Sequence, residues 1–133
     1  MIDIEKYPWT EWEPFPNPFS DSFDNLKQFG SLRLILRDII LKKPQSPGVY
    51  QLRNKKTKEF VLFGEGTILF DRMGSLLPRE AGGRGNRNNF DKREYVGKNL
   101  NDIEFRIHYT KTKKEAKKID NFLKSLKIHI YNT

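Results

Sequence analysis

The chain has 133 residues, with 25 Lys+Arg against 17 Asp+Glu and no cysteine. This length corresponds to one domain, and the lack of cysteine excludes disulfides, thiolate zinc sites and cysteine nucleophiles. Only two histidines are present, so a multi-histidine metal site is excluded as well. No apolar run approaches the roughly 20 residues that span a bilayer, and no basic-then-apolar leader opens the sequence. We therefore expect a soluble, cytoplasmic protein.

The formal charge of +8 is unevenly distributed along the chain. Residues 1–24 carry six acids and one base, a net of −5, while residues 25–133 carry 24 bases and 11 acids, a net of +13. A small body with such an excess of positive charge attracts polyanions, of which nucleic acid is the commonest large one. The alternative interpretation is a charge that serves solubility or attraction to a membrane surface.

Residues 1–24 are predicted to form an arm ahead of a single domain that spans 25–133. Four prolines in the arm forbid a regular helix and favour extended backbone. Its aromatic side chains are predicted to dock on the apolar surface of the domain itself, and contact with a protein partner is the alternative. These aromatic residues are Tyr7, Trp9, Trp12, Phe15 and Phe19.

The first half of the domain is predicted to contain a helix, a hairpin and a second helix. Apolar residues recur at helical spacing in LRLILRDIILKK, which predicts a helix at about 25–43, ended by Pro44. The runs GVYQLRN and EFVLF within 48–63 predict two short strands joined by a Lys-rich turn. A helix is predicted over 67–77, with Thr67 as its N-cap.

The second half is predicted to contain a Gly-, Arg- and Asn-rich loop, a short helix, an alternating strand, a longer helix and a short extended piece. These occupy 78–90, 91–100, 103–109, 112–127 and 128–131. Thr112 followed by Glu115 forms the capping-box pattern at the start of the longer helix. The order of elements predicts an α+β or mixed α/β domain.

Arg72 stands at an unexpected place in the helix predicted over 67–77. It is four residues from both Ile68 and Leu76, which places it with them on the inward side. Either its alkyl stem covers the edge of the core, or its guanidinium faces an anion.

Asp120 likewise lies at the edge of the apolar stripe of the last predicted helix. Lys117 and Lys124 stand at the right spacing to form a helix salt bridge with it. The other interpretation is a metal-binding carboxylate that faces a cleft.

The order and spacing of short motifs provide the strongest indication of function. Gly48-Val49-Tyr50 on one strand is followed, after eleven residues, by Leu62-Phe63-Gly64 on the next. Arg72 comes eight residues after Gly64, and Asp120 precedes Asn132 by twelve. This arrangement resembles the GIY-YIG nuclease superfamily, and the match covers about two thirds of the chain.

The resemblance implies a small three-stranded antiparallel sheet flanked by helices, and hydrolysis of DNA phosphodiesters with Mg²⁺ or Mn²⁺. By the same resemblance, Tyr50 lies in the active site and helps to activate water. Arg72 stabilises charge on the scissile phosphate, and Asp120 is the single metal-ligating acid. Asn132 supports the site from the end of the motif.

Three positions depart from the pattern of the family. Leu62 replaces the tyrosine of the second motif, and Glu65 replaces a lysine. Asp120 replaces glutamate, which shortens the reach of the carboxylate by roughly 1.5 Å. Glu65 then either adds a second carboxylate for the metal or repels the phosphate. The expected function is a metal-dependent DNA endonuclease; the alternatives are a catalytically weak nucleic-acid-binding module of the same fold and a scaffold that uses the arm.

The loop at 78–90 is the predicted contact with the nucleic-acid backbone, with a flexible solvated loop as the alternative. Its arginines alternate with small residues that let phosphates approach, and its asparagines are suited to base edges or sugars. Two basic residues after the loop extend the patch. The residues concerned are Arg79, Arg84, Arg87, Asn86, Asn88, Asn89, Lys92 and Arg93.

Overall fold

The computed structural model describes residues 4–15, 37, 41–43, 45–74, 76 and 90–132. Within these ranges one antiparallel sheet is built in the strand order β1-β4-β2-β3. Its strands are β1 (Glu13–Pro14), β2 (Gly48–Asn54), β3 (Phe60–Gly66) and β4 (Ile103–Tyr109). The helices are α1 (Leu69–Gly74), α2 (Phe90–Lys98) and α3 (Lys113–Leu126), with short 3-10 turns at Ile4–Lys6 and Leu100–Asp102. The predicted α+β class is therefore confirmed.

β2 is the central strand, and both of its faces are covered. Tyr50 pairs with Gly64 on β3 and with Ile107 on β4. Side chains alternate between the two faces of a strand. Tyr50 and the residues two positions from it therefore lie on one face, and Val49 and the residues two positions from it lie on the other. Nearly every residue of β2 is consequently buried.

The first face of the sheet carries the larger apolar core. Side chains of β2, β3 and β4 pack there against α1, Val96 of α2, Leu100, and Phe15 of the arm. The buried members from the strands are Tyr50, Leu52, Val61, Leu62, Ile103, Phe105 and Ile107. The second face is smaller: Val49 and Phe63 pack against Ala116 and Leu123 of α3 and against Ile4.

The strand count and several boundaries differ from the prediction. Three strands were expected, and the fourth, β1, is contributed by the arm, which pairs with β4. β3 continues to Gly66 because its Gly-Glu-Gly end still pairs with β2. α1 is shorter than the helix predicted over 67–77. Most of the predicted helix at 25–43 lies outside the described residues, and 41–43 are not helical.

The last helix was predicted closely. The Thr112 side chain accepts a hydrogen bond from the Glu115 backbone N–H at 3.2 Å, as the capping box requires. The apolar stripe faces the sheet, with Ala116 and Leu123 fully buried. Lys127 ends the helix in the left-handed region with φ of 53°.

The arm docks on the domain, as its aromatic residues predicted. Phe15 is buried against Phe105 with the rings 6.1 Å apart, edge to face. The Arg106 guanidinium lies 4.4 Å from the ring centre of Trp9 and 4.6 Å from that of Trp12. Residues 16–24, Phe19 among them, are outside the described ranges.

Beneath the arm, the second face holds three buried polar side chains, Arg106, Gln51 and His129, which are joined to the exposed Glu5 of the arm. Arg106 forms two hydrogen bonds to the Glu5 carboxylate, at 2.6 and 2.9 Å, and donates from Nε to Gln51 Oε1 at 2.7 Å. Gln51 Nε2 in turn lies 2.9 Å from His129 Nε2. Polar side chains buried in this way require such partners, so the network fixes how the arm sits.

Candidate active site

The candidate site lies at the end of β3, on the edge of the sheet. Gly64, Glu65 and Gly66 form this end, and α1 follows directly after it. α1 and α3 both contact β3 although they cover opposite faces of the sheet. Because an edge strand has open space on one side, residues from the helices on both faces of the sheet can reach the end of β3.

Tyr50 is held at this end by its neighbour across the strands. A Cβ placed on Gly64 would lie 2.5 Å from Tyr50 Cζ, so only glycine leaves room for the phenol ring. The side chain is buried. Burial raises the pKa of Tyr50 to about 12; the Arg72 charge opposes this shift, and the Asp120 and Glu65 charges add to it. At neutral pH the hydroxyl therefore keeps its proton and can donate a hydrogen bond.

Arg72 lies beside the same strand end but is exposed. Its stem crosses Gly66, where a Cβ would meet Arg72 Cγ at 2.5 Å. Its Nε donates a hydrogen bond to the Glu65 carbonyl oxygen at 3.2 Å. The predicted inward orientation with Ile68 and Leu76 was wrong, because α1 spans only Leu69–Gly74 and both reference residues lie outside it.

Asp120 and Glu65 bring two carboxylates to the site. Asp120 is half-buried on α3, and burial raises its pKa; Lys124 opposes this shift, Glu65 adds to it, and Lys92 and Arg72 oppose it. Glu65 Oε2 is buried and accepts no hydrogen bond from the described residues. A carboxylate whose charge is disfavoured by a neighbouring acid, together with a buried oxygen that lacks a hydrogen bond, is an arrangement that a cation would stabilise.

These two carboxylates fit a hydrated Mg²⁺ or Mn²⁺. Mg²⁺ keeps several waters and takes only one or two protein carboxylates beside a substrate phosphate. No cluster of three or more His, Cys, Asp or Glu side chains suited to a metal occurs in the described part of the chain. A site of this kind therefore relies on Asp120, with Glu65 as its second oxygen donor.

Lys92 joins the site from the first half of α2. It was predicted only as part of the basic patch after the loop. Half-buried, it has a lowered pKa, caused by burial and then by the positive charges of Arg72 and Lys124, while Asp120 acts in the opposite direction. No motif spacing relates Lys92 to Asp120, so only the tertiary structure reveals that their charges act on each other.

Asn132 approaches the site along the outer edge of β3. The backbone N–H groups of Ile130 and Tyr131 donate to Phe60 and Val61 carbonyls at 3.0 and 2.8 Å. Asn132 Nδ2 donates to the Lys124 carbonyl at 2.6 Å, one turn beyond Asp120 on α3. Its Oδ1 is buried and has no hydrogen-bond partner among the described residues. Asn132 thus binds the last turn of α3, one turn beyond Asp120.

Other predicted site residues lie elsewhere. Leu62, at the position of the second tyrosine, is buried in the apolar core. Arg93, predicted to extend the basic patch, is partly buried on α2. The predicted contacts Arg79, Arg84, Arg87, Asn86, Asn88 and Asn89 lie outside the described residues.

Replacing Gly64 with alanine is expected to destabilise the fold by about 1–3 kcal/mol, because the new methyl group must displace the Tyr50 ring. Urea unfolding measures the effect. The double variant Gly64→Ala/Tyr50→Leu removes the collision, so its loss should be smaller than the sum of the two single losses. Strictly additive losses would contradict the contact.

No family model, no curated protein and no solved structure matches this chain. No helix in the described ranges is both long and apolar enough to cross a membrane.

Proposed function

We propose that this protein is a metal-dependent endonuclease of the GIY-YIG type that hydrolyses phosphodiester bonds in DNA. The observation that carries the proposal is that Tyr50 and Arg72 lie against Gly64 and Gly66 at one end of β3, and that the charges of Arg72 and Asp120 both act on the Tyr50 hydroxyl there. These residues come from three separate elements. The resemblance in motif spacing assigns the same three residues to one site.

The side chains suit attack on a phosphodiester. In-line attack builds negative charge on the phosphoryl oxygens, which a fixed guanidinium stabilises. Arg72 is exposed, so a phosphate can reach it, and its hydrogen bond to the Glu65 carbonyl limits its movement. The protonated Tyr50 hydroxyl serves as a hydrogen-bond donor that orients water or a phosphate oxygen.

Asp120 and Glu65 are the residues that would hold the divalent ion. When bound, the ion supplies Lewis-acid stabilisation of the phosphate and favours ionisation of water at neutral pH. Asn132 holds the last turn of α3 through its bond to the Lys124 carbonyl, one turn beyond Asp120, and so supports the position of that carboxylate. Lys92 adds positive charge beside Asp120 and favours the approach of the polyanion.

Nicking of supercoiled plasmid in Mg²⁺ or Mn²⁺ tests the proposal. The wild-type protein should nick, and Asp120→Asn should lower the rate by about a hundredfold because the ion is held out of place. Residual activity should rise with Mn²⁺ concentration, since Glu65 still offers one carboxylate. Glu59→Gln, which neutralises an exposed acid in the hairpin turn, serves as the control and should nick like wild type. Equal rates for wild type and Asp120→Asn would reject the proposal.

Burial of Leu62 favours a second candidate, a binding module of the same fold with little cleavage. Leu62 lies in the core and brings no hydroxyl to the site. The plasmid assay separates the two candidates. Binding of DNA without any metal-dependent nicking supports the module, and nicking that depends on Asp120 supports the enzyme.

DNA binding is expected to depend steeply on salt. If about five phosphates are contacted, the slope of log affinity against log salt should be near −4 to −5 on duplex DNA. Arg84→Ala/Arg87→Ala should flatten this slope by about one to two units, because each lost contact releases one counterion fewer. Fluorescence anisotropy at several salt concentrations measures it. A flat response in the wild type would mean that the basic surface does not contact DNA.

A further inference from the structure

A cavity of about 310 Å³ opens between α2 and the segment that carries Tyr131. It is lined by Asp91, Glu94, Tyr95, Lys98, Asn99 and Tyr131. The cavity and the candidate active site share two elements, because Asp91 precedes Lys92 on α2 and Tyr131 precedes Asn132. Its volume is at the lower end of ligand pockets and suits a group the size of a nucleobase.

Two aromatic rings form one wall of the cavity. The Tyr95 and Tyr131 rings meet edge to face with their centres 5.8 Å apart. Asn54 Nδ2 donates to the Tyr95 hydroxyl at 3.2 Å, and the Tyr131 backbone is bonded to Val61 on β3. Both rings are therefore held in place before a ligand arrives, which lowers the entropic cost of stacking a flat group on them.

The charge of the cavity is opposite to that of the domain around it. Its lining carries two carboxylates and one ammonium, and Lys98 Nζ lies 2.8 Å from Glu94 Oε1. A net negative lining repels phosphate, but carboxylates accept hydrogen bonds from amino groups on base edges. Burial raises the pKa of Tyr131, and the Asp91 carboxylate adds to the shift, so its hydroxyl stays protonated.

We propose that this cavity binds one unstacked, amino-bearing nucleobase of the DNA strand that occupies the neighbouring active site. The proposal rests on the proposed function. Cytosine, adenine and guanine offer an exocyclic amino group to Asp91, whereas thymine presents a carbonyl oxygen at the corresponding place. Extruding a base from duplex costs a few kcal/mol, so the cavity favours substrates in which that base is already unpaired.

Anisotropy with labelled homopolymers of deoxycytidine and thymidine, about twelve nucleotides long and without divalent metal, tests the proposal. The deoxycytidine strand should bind about tenfold more tightly or better. Tyr131→Ala should weaken its binding by about tenfold, and Tyr131→Phe should change it little because the stacking face remains. Asp91→Ala should abolish the preference without weakening thymidine binding. Glu59→Ala, the matched exposed acid, should leave the preference intact.

Equal binding of the two homopolymers would overturn the base pocket while leaving the endonuclease proposal to the plasmid assay. An Asp91→Ala variant that keeps the preference would overturn it as well. If N-acetyl-arginine amide bound in the cavity and deoxycytidine did not, the base pocket would also be overturned. The cavity would then suit a cationic protein side chain instead. Absence of any DNA binding by the wild type would overturn both proposals together.

Discussion

Arg72→Ala is expected to reduce plasmid nicking by about 100- to 1000-fold while leaving DNA affinity within a few-fold of wild type. The guanidinium is held beside Tyr50 and Asp120 before substrate arrives, and a preorganised donor of this kind matters most when charge builds on the phosphate. It contributes one positive charge among the 25 Lys+Arg of the chain, so its share of ground-state binding is small. The loss should therefore exceed that of Asp120→Asn, for which Glu65 provides a partial substitute.

Lys118→Ala is the matched control for this loss of charge. Lys118 is exposed on α3, two residues before Asp120 and hence on nearly the opposite side of the helix. The Lys118→Ala variant should nick like wild type. Equal nicking by wild type and Arg72→Ala would contradict the role proposed for Arg72, and if that nicking also needs no metal it would point to the binding module. A parallel loss of nicking, binding and urea stability would instead mean that Arg72 supports the fold around Gly66.

Acidification is expected to destabilise the protein through His129. Burial, with the Arg106 charge as a further cause, lowers the pKa of His129 to about 4, whereas the unfolded chain has a value near 6.5. Between these values the unfolded state binds more protons, so the free energy of unfolding falls as pH falls. From pH 7 to 4.5 the contribution of this one group is about 2–3 kcal/mol.

The direction of one hydrogen bond acts in the same sense as burial and the Arg106 charge. Neutral His129 accepts at Nε2 from Gln51 Nε2, and a proton placed there would oppose the amide N–H group and add charge near Arg106. Urea unfolding at both pH values measures the fall. Between pH 7 and 4.5, the free energy of unfolding of His129→Gln should fall by about 2–3 kcal/mol less than that of wild type. In His108→Gln, which replaces the half-buried second histidine, the free energy of unfolding should fall nearly as much as in wild type. Parallel pH profiles for wild type and His129→Gln would contradict the assignment.

The parts of the fold that sequence predicted best are those governed by local rules. β4 matches its alternating pattern from Ile103 to Tyr109, and α3 begins at its Thr112 cap. β1 was not predicted, because Glu13 and Pro14 have no strand pattern of their own and pair only where β4 offers an edge. The helical limits around Arg72 were misplaced for a similar reason: β3 pairs as far as Gly66 and delays the start of α1.

The candidate site divides in the same way. Spacing along the chain indicated Tyr50, Arg72 and Asp120, which the fold brings together. Lys92 was assigned to a surface patch, because nothing in the sequence reports that its charge and that of Asp120 act on each other. The second carboxylate, Glu65, had two opposite interpretations that composition could not separate, and its buried, unsatisfied oxygen favours the metal-directed one.

Both outer edges of the sheet are completed by segments remote in sequence from the central hairpin. β1 pairs with β4, and the backbone of Ile130 and Tyr131 covers the first half of β3. The Arg106–Glu5 pair spans 101 positions of the chain. Closing such distant contacts is slow, and until it occurs the strand edges can pair with other molecules. We therefore expect the hairpin to form early and the outer edges of β3 and β4 to close late, so that dilute solution favours correct refolding over aggregation.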